Sequence, residues 1–324
     1  MILVTGATGF LGAELVTQLL QQEAKIRCVK RASSKIPEKL ISYRQQIDWF
    51  DADVLDLSDL SDAFEGITAV YHCAALISFE PSLKKKMIEV NANGTANVVN
   101  LCIQNEVKKL IHVSSIATLG NAKDDELVDE KMFWEGFETH EGYSVSKYRA
   151  EMEVWRGMNE GLNAVIINPS VIIGEDAGKE GSGAIFEKIR TGFKYYTQGG
   201  TGFVDVKDVA KCMILLMQSD SNNERFIINS ENYSYQDLFK TTAKAFQIAE
   251  PNKEAKLWML SLVWRLTAIK NLFTGSKGGL TKATAKSASS MTKFSNEKIK
   301  KHLNMEFIPV AESITKIANS LKSA

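Results

Sequence analysis

The first twelve residues, MILVTGATGFLG, constrain the fold more than any other stretch of the chain. An aliphatic run leads into Gly6, Gly9 and Gly12, and an amphipathic pattern, FLGAELVTQLLQQE, follows at once. This reads as a strand, a tight turn and a helix. Such a turn lets backbone approach a pyrophosphate closely, and the helix behind it offers unpaired N–H groups and the positive end of its dipole. The glycines alone are weak evidence. They gain weight because a second strand, KIRCVKR, follows the helix at the distance of a dinucleotide-binding unit.

The alternation continues. QIDWFDADVLD, AVYHCAA, KLIHVSSIAT and NAVIINPSVIIG read as strands. LSDAFEG, MIEVNANGTANVVNLCIQNE and YSVSKYRAEMEVWRGMNE read as the helices between them. That order predicts an α/β fold with a doubly wound parallel sheet covered on both faces, and near-continuous apolar strands fit such burial. After Gly174 a glycine-rich polar loop follows, then a strand and helix in FVDVKDVAKCMILLMQ, and a last strand in RFIIN. From about Ser230 the pattern is mostly helical, with a Gly/Lys/Ser-rich loop at TGSKGGLTKATAKSASS.

Composition narrows the partners. The 39 Lys and Arg balance 39 Asp and Glu, so no global field draws the chain to nucleic acid. Cys28, Cys73, Cys102 and Cys212 lie in apolar runs without metal-ligand spacing, and His72, His112 and His140 are scattered; no metal site is expected. Unpaired cysteines fit a reduced, cytoplasmic compartment, and no signal peptide is expected. The most apolar late stretch, LWMLSLVWRLTAIKNLF, is short for a membrane span and carries Arg265 and Lys270. It is expected as a buried or lid helix, with a helix on a membrane surface as the alternative.

Two further features carry chemistry. At the end of the second strand an acid suits the ribose of NAD, and a basic residue suits the 2′-phosphate of NADP. Here stand Lys30 and Arg31, with Lys35 further on and no acid nearby, which favours NADP while leaving NAD possible. In YSVSK, Tyr143 and Lys147 lie four apart, on one face of a helix. An ammonium beside a phenol is expected to lower its pKa toward a working acid/base. Ser115, 28 residues upstream at the end of HVSS, could hold a substrate oxygen beside that phenol.

Taken together, TGATGFLG at 5–12, DV at 53–54, HCAA at 72–75, NANGTANVV at 91–99, VSS at 113–115, YSVSK at 143–147, NPSVIIG at 168–174 and FVDVKDVA at 203–210 resemble the extended short-chain dehydrogenase/reductase family in order and spacing. The resemblance covers about residues 1–230. It implies a Rossmann domain of residues 1–167 plus about 203–229 that binds NAD(P). It also implies a smaller, mostly helical C-terminal substrate part, about 168–202 plus 230–324. Tyr143 resembles the family's acid/base, Lys147 its electrostatic partner and a ribose ligand, and Ser115 the serine that bonds the reacting oxygen. Cofactor contacts are implied for Gly6, Thr8, Gly9, Phe10, Leu11 and Gly12, where Gly6 makes the turn and the N–H groups of Phe10 and Leu11 meet the phosphates. Lys30 and Arg31, Asp53 and Val54 at the adenine, Ala74 and Ala75, Asn91, Ser114 on the cofactor side, and Pro169 and Ile172 near the nicotinamide complete the implied set.

Within the family, the chain looks closer to dihydroflavonol reductase and cinnamoyl-CoA reductase than to nucleotide-sugar epimerases and dehydratases. Epimerases usually carry Arg where this chain has Asn168, and dehydratases an acid-bearing segment where it has SSIATLG. A cofactor-binding regulator without turnover is a third reading, against which both Tyr143 and Lys147 are retained. Substrate choice is expected in 78–88, 119–141, 175–202 and the C-terminal helices. Phe133, Trp134, Phe137, Trp258 and Trp264 could line an apolar pocket or simply pack. The family often dimerises through helices matching 87–105 and 143–160, so a homodimer is the expected assembly.

Overall fold

The computed structural model describes the chain except residues 79, 121–125, 135–141, 179–180, 275–284, 286–287 and 324, and the side chains of 81 and 268–274. Ten connected segments build its first third: β1 (Ile2–Thr5), α1 (Phe10–Leu20), β2 (Ile26–Lys30), α2 (Glu38–Ile41), β3 (Asp48–Asp51), α3 (Leu57–Ala63), β4 (Ala69–His72), α4 (Lys84–Ile88), α5 (Gly94–Gln104) and β5 (Lys109–Val113). Then come α6 (Gly142–Asn159), β6 (Ala164–Pro169), β7 (Val171–Ile173), α7 (Gly183–Arg190), β8 (Tyr195–Tyr196), β9 (Gly200–Asp205), α8 (Val206–Gln218), β10 (Glu224–Ile228), β11 (Glu231–Ser234) and α9 (Tyr235–Phe246). β12 (Lys253–Glu254), α10 (Leu257–Thr274), α11 (Glu297–Leu303) and α12 (Val310–Ser323) close the chain.

Seven strands form one parallel sheet in the order β10-β6-β5-β4-β1-β2-β3. The order reverses beside β1, which opens the crevice where doubly wound sheets bind ligands. Alternation along each strand feeds two cores. Val4, Tyr71, Ile111 and Val165 pack with Leu15 of α1 and Met213 of α8 on one face. Leu3, Val70, Leu110 and Ile166 pack with Leu60, Val98 and Val154 of α3, α5 and α6 on the other. Two buried faces explain strands such as β6, in which all six residues are buried.

NAVIINPSVIIG is two strands rather than one. β6 ends at Pro169, and β7 joins a second sheet of order β11-β9-β7. That sheet packs Phe203 against Phe186 of α7, Leu238 of α9 and Val310 and Ile314 of α12. Similarly, MIEVNANGTANVVNLCIQNE is helical up to Gln104 but passes through a π-helical turn at Glu89–Asn93 between α4 and α5. The expectation of burial for the late apolar stretch is corrected. It forms α10, but Leu257, Trp258, Leu262, Val263 and Leu266 are exposed, and no helix of the described residues is long and apolar enough to cross a membrane.

Candidate active site

Most of the residues predicted to matter gather along the C-terminal edge of the main sheet, at or just beyond the end of a strand. The turn at 6–9 follows β1, Arg31 follows β2, Asp53 and Val54 follow β3, Ala74 and Ala75 follow β4, Ser114 and Ser115 follow β5, and Pro169 ends β6.

The turn after β1 is built for close approach. Gly6 has φ +70°, and a Cβ there would sit 2.6 Å from the Ala74 nitrogen. A Cβ on Gly12 would sit 2.2 Å from the Gly6 carbonyl oxygen, so the helix packs directly on the turn. Gly9 is exposed at the N-terminus of α1 and no side chain caps that end. The first N–H groups of the helix, those of Phe10 and Leu11 among them, therefore face the crevice with no intrahelical acceptor. These are the features a pyrophosphate needs, and the site fits a dinucleotide on this ground.

Around this turn the polar contacts hold the walls in place. Thr5 bonds the His72 ring at 2.7 Å, and the other ring nitrogen bonds Thr95 at 2.9 Å. Burial, with the Lys147 charge nearby, brings His72 down to about 3, so the ring is a neutral strut. Asn91, in the π turn, donates to the Leu76 carbonyl and to the Ser146 hydroxyl and accepts from the Leu76 N–H. Its amide is thus spent joining the 74–76 segment to α6, and it acts on the crevice through that wall. Asp53 accepts from the Leu55 N–H, shaping the bend after β3, and Val54 is buried against α5.

Two of the predicted cofactor residues are engaged within the chain. Lys30 forms an ion pair with Asp51 on the neighbouring strand, which leaves the exposed Arg31 as the cation at the end of β2. Ser114 does not point to the cofactor side: its hydroxyl donates to Glu151 at 2.5 Å and is buried. Strand alternation sends adjacent serines to opposite sides, and only Ser115 turns toward Tyr143.

The hydroxyls of Ser115 and Tyr143 share a hydrogen bond, and Ser115 also accepts from the Ala117 N–H at 3.1 Å. Lys147, one turn beyond Tyr143, donates to the Val113 carbonyl at 2.6 Å. The expected lowering of the phenol by the ammonium is not what this arrangement gives. Burial raises Tyr143 above its ordinary value, with the Ser115 bond acting against it. Burial also brings Lys147 down to about 8, partly offset by the carboxylate of Glu151. The ammonium is turned to the backbone of β5, so its field supports the site rather than a direct contact.

Glu151 and Arg225 were not anticipated from the sequence. Glu151, fully buried, receives Ser114, Thr118 at 2.7 Å, Asn168 at 2.9 Å and Arg225 at 3.0 Å. Asn168 and Thr118 also bond the Ser115 carbonyl, at 3.1 and 2.8 Å. Arg225 reaches on to the Glu130 and Met132 carbonyls. The signals were there: Glu151 continues the Tyr143–Lys147 stripe by one more turn, and Arg225 interrupts an apolar strand.

The predicted aromatics do not form one cluster. Trp134 stacks on Tyr148 with centroids 4.5 Å apart, Phe133 lies over the Arg225 guanidinium, and Trp258 is exposed on α10. Phe137 lies outside the described residues.

The chain is similar to known proteins over most of its length. The model of the NAD dependent epimerase/dehydratase family matches residues 2–229. A Synechocystis protein named for dihydroflavonol 4-reductase is 31% identical over 268 residues, 81% of this chain and 77% of that protein. Cinnamoyl-CoA reductase 1 of Petunia hybrida is 26% identical over 337 residues, 99% of this chain and 92% of that one. The UDP-glucose 4-epimerase of Thermus thermophilus, solved with NAD, superimposes with a TM-score of 0.79 at 21% identity, covering 100% of this chain and 99% of that one.

Proposed function

The chain belongs to the NAD dependent epimerase/dehydratase family, and from that premise we propose that it is an NADPH-dependent reductase of an aldehyde or ketone. The observation that carries the reading is the hydrogen bond between Ser115 and Tyr143, with Lys147 one turn along the same helix. When bound, the nicotinamide supplies the hydride, which passes to the carbonyl carbon. The Ser115 hydroxyl steadies the oxygen on which charge develops, and Tyr143 gives that oxygen its proton. Lys147 then stabilises the phenolate until it is reprotonated from solvent. Because burial keeps Tyr143 protonated, it is set as an acid, the role that reduction requires.

Gly6, Thr8, Gly9, Phe10, Leu11 and Gly12 would hold the pyrophosphate. Asp53 and Val54 would border the adenine, Ala74 and Ala75 the crevice wall, and Pro169 and Ile172 the nicotinamide. Arg31 supports NADPH over NADH, since it is the exposed cation where the 2′-phosphate would lie. Reductase relatives at 31% and 26% identity, and Asn168 in place of an arginine, support reduction over epimerisation. We further propose residues 168–202 and 230–324 as the substrate part, a homodimer through α5 and α6, and a cytoplasmic site of action.

The test is NADPH consumption over a panel of aldehydes and ketones, with UDP-, GDP- and dTDP-sugars alongside. Tyr143→Phe is expected to lower turnover by about 10²–10⁴-fold while NADPH still binds. Near-normal turnover in that variant would remove Tyr143 as the acid. Redox-neutral conversion of a sugar nucleotide would replace the reductase by an epimerase.

A further inference from the structure

The helix α10 inverts the usual arrangement of a folded chain. Of the eleven exposed large apolar side chains among the described residues, five are Leu257, Trp258, Leu262, Val263 and Leu266. Trp258, Leu262 and Leu266 recur every four residues, so they form one outward stripe, at 66%, 49% and 56% exposure. None of the helix's described side chains enters an apolar cluster of the fold. Contiguous exposed apolar surface of this kind marks a docking face.

The charge of the sequence that contains the helix says what it would meet. Residues 255–296 hold seven Lys and Arg and no Asp or Glu. With 39 of each sign in the chain, the remainder holds 32 cationic against 39 anionic side chains. A second copy of this chain would bring the same cationic segment to the interface and be repelled. An anionic partner is attracted, and an apolar stripe accompanied by the exposed cations Lys256 and Arg265, with Trp258 at its start, is the arrangement that lies in the plane of a bilayer interface.

We propose that α10, with Lys256 just before it and Arg265 on it, docks the protein on the surface of an anionic phospholipid bilayer, with Trp258, Leu262 and Leu266 entering the headgroup–acyl boundary. The helix lies on the membrane and does not span it. The proposal is independent of which reaction the crevice performs.

Flotation of the full-length protein with vesicles tests it. Binding is expected to vesicles of phosphatidylcholine containing a third phosphatidylserine. Affinity for phosphatidylcholine alone should be lower, by roughly fivefold for each cation engaged. Raising the salt to about 0.5 M should weaken binding, because the screening length shortens. The triple variant Trp258→Gln, Leu262→Gln, Leu266→Gln should stay monodisperse with an unchanged melting temperature and lose flotation at least tenfold. Brominated lipid should quench the tryptophan emission of the wild-type chain, and Trp258→Phe should lose most of that quenching while still floating. Three outcomes overturn the proposal. One is no flotation with anionic vesicles at low salt, and another is equal binding to neutral ones. The third is a solution dimer that the triple variant dissolves without any vesicle binding in the wild type.

Discussion

The cluster around Glu151 and the helix α10 are opposites. At Glu151 a carboxylate and a guanidinium are buried, at 0% and 3% exposure, and Ser114, Thr118, Asn168 and Arg225 all donate to the carboxylate. On α10, leucines and a tryptophan are about half or more exposed and join no apolar cluster of the described residues. Charge in the interior survives only when geometry satisfies it, and here the Glu151 carboxylate receives four side-chain donors, although the Asn168 Oδ1 beside it finds no partner. Apolar surface left outside is incomplete, and its complement must come from elsewhere. The first region therefore fixes the loop that carries Ser115, and the second advertises an encounter.

The largest effect should come from breaking the buried polar region. Glu151→Ala strands Arg225, which is 3% exposed, and frees Ser114, Thr118 and Asn168 at once. A destabilisation of about 3–5 kcal/mol is expected, read by urea unfolding. A loss below about 1 kcal/mol would mean the cluster is dispensable and the contrast with α10 false.

Glu151→Gln is the gentler probe, and it reads activity. Lys147 is charged below about 8 and neutral above it, because burial favours the neutral amine. Tyr143 stays protonated through that range. In the direction of reduction, kcat/KM should therefore fall about tenfold per pH unit above about pH 8 as the charge that steadies the phenolate is lost. Glu151 favours the ammonium, so Glu151→Gln should move that limb to lower pH. A limb that stays put would show that the carboxylate serves only packing. For stability the sign is reversed. The folded chain gives up this proton before the unfolded one does, so the burden of burying Lys147 is full below about 8 and eases as pH rises toward 10.5.

The same contrast recurs at small scale on β2. Lys30 is paired with Asp51, and Arg31 is exposed. Arg31→Ala should weaken NADPH binding by about 1.5–3 kcal/mol with little change for NADH, as one charge-assisted contact is worth. Lys30→Ala should change the ratio of the two affinities less. A fluorescence titration of each variant with both cofactors decides. Equal losses for the two variants would return the role to both residues.

These regions also differ in how far sequence discloses them. The parallel sheet was legible because two-sided burial writes itself as continuous apolar strands, and the phosphate turn because Gly6 and Gly12 occupy positions where a Cβ collides with backbone. Tyr143 and Lys147 were legible as a helical pair. The break at Ser170 was not, because Val171 and Ile173 continue the apolar run and only the partner strand reveals the second sheet. The orientation of Ser114 was hidden for a related reason. Adjacent serines look alike in sequence, and which of them meets Tyr143 depends on Glu151, 37 residues away. The exposure of α10 was misjudged because an apolar run ordinarily marks the core, and sequence does not say whether the rest of the fold supplies a cover.

The smallest expected effect falls on that helix. Outward-facing side chains with no packing partner contribute little to the folded state, and glutamine keeps helix propensity close to that of leucine. Leu262→Gln with Leu266→Gln should therefore change unfolding free energy by no more than about 0.5 kcal/mol. Turnover in solution should match the wild type, since no described contact ties these residues to Ser115, Tyr143 or Lys147. The measurement is a denaturant melt at equal protein concentration, beside NADPH consumption without lipid. A loss of about 2 kcal/mol or more would mean that the rest of the chain covers these leucines in solution. The contrast with Glu151 would then become one between two buried regions, polar and apolar, and the free surface would have to be sought elsewhere.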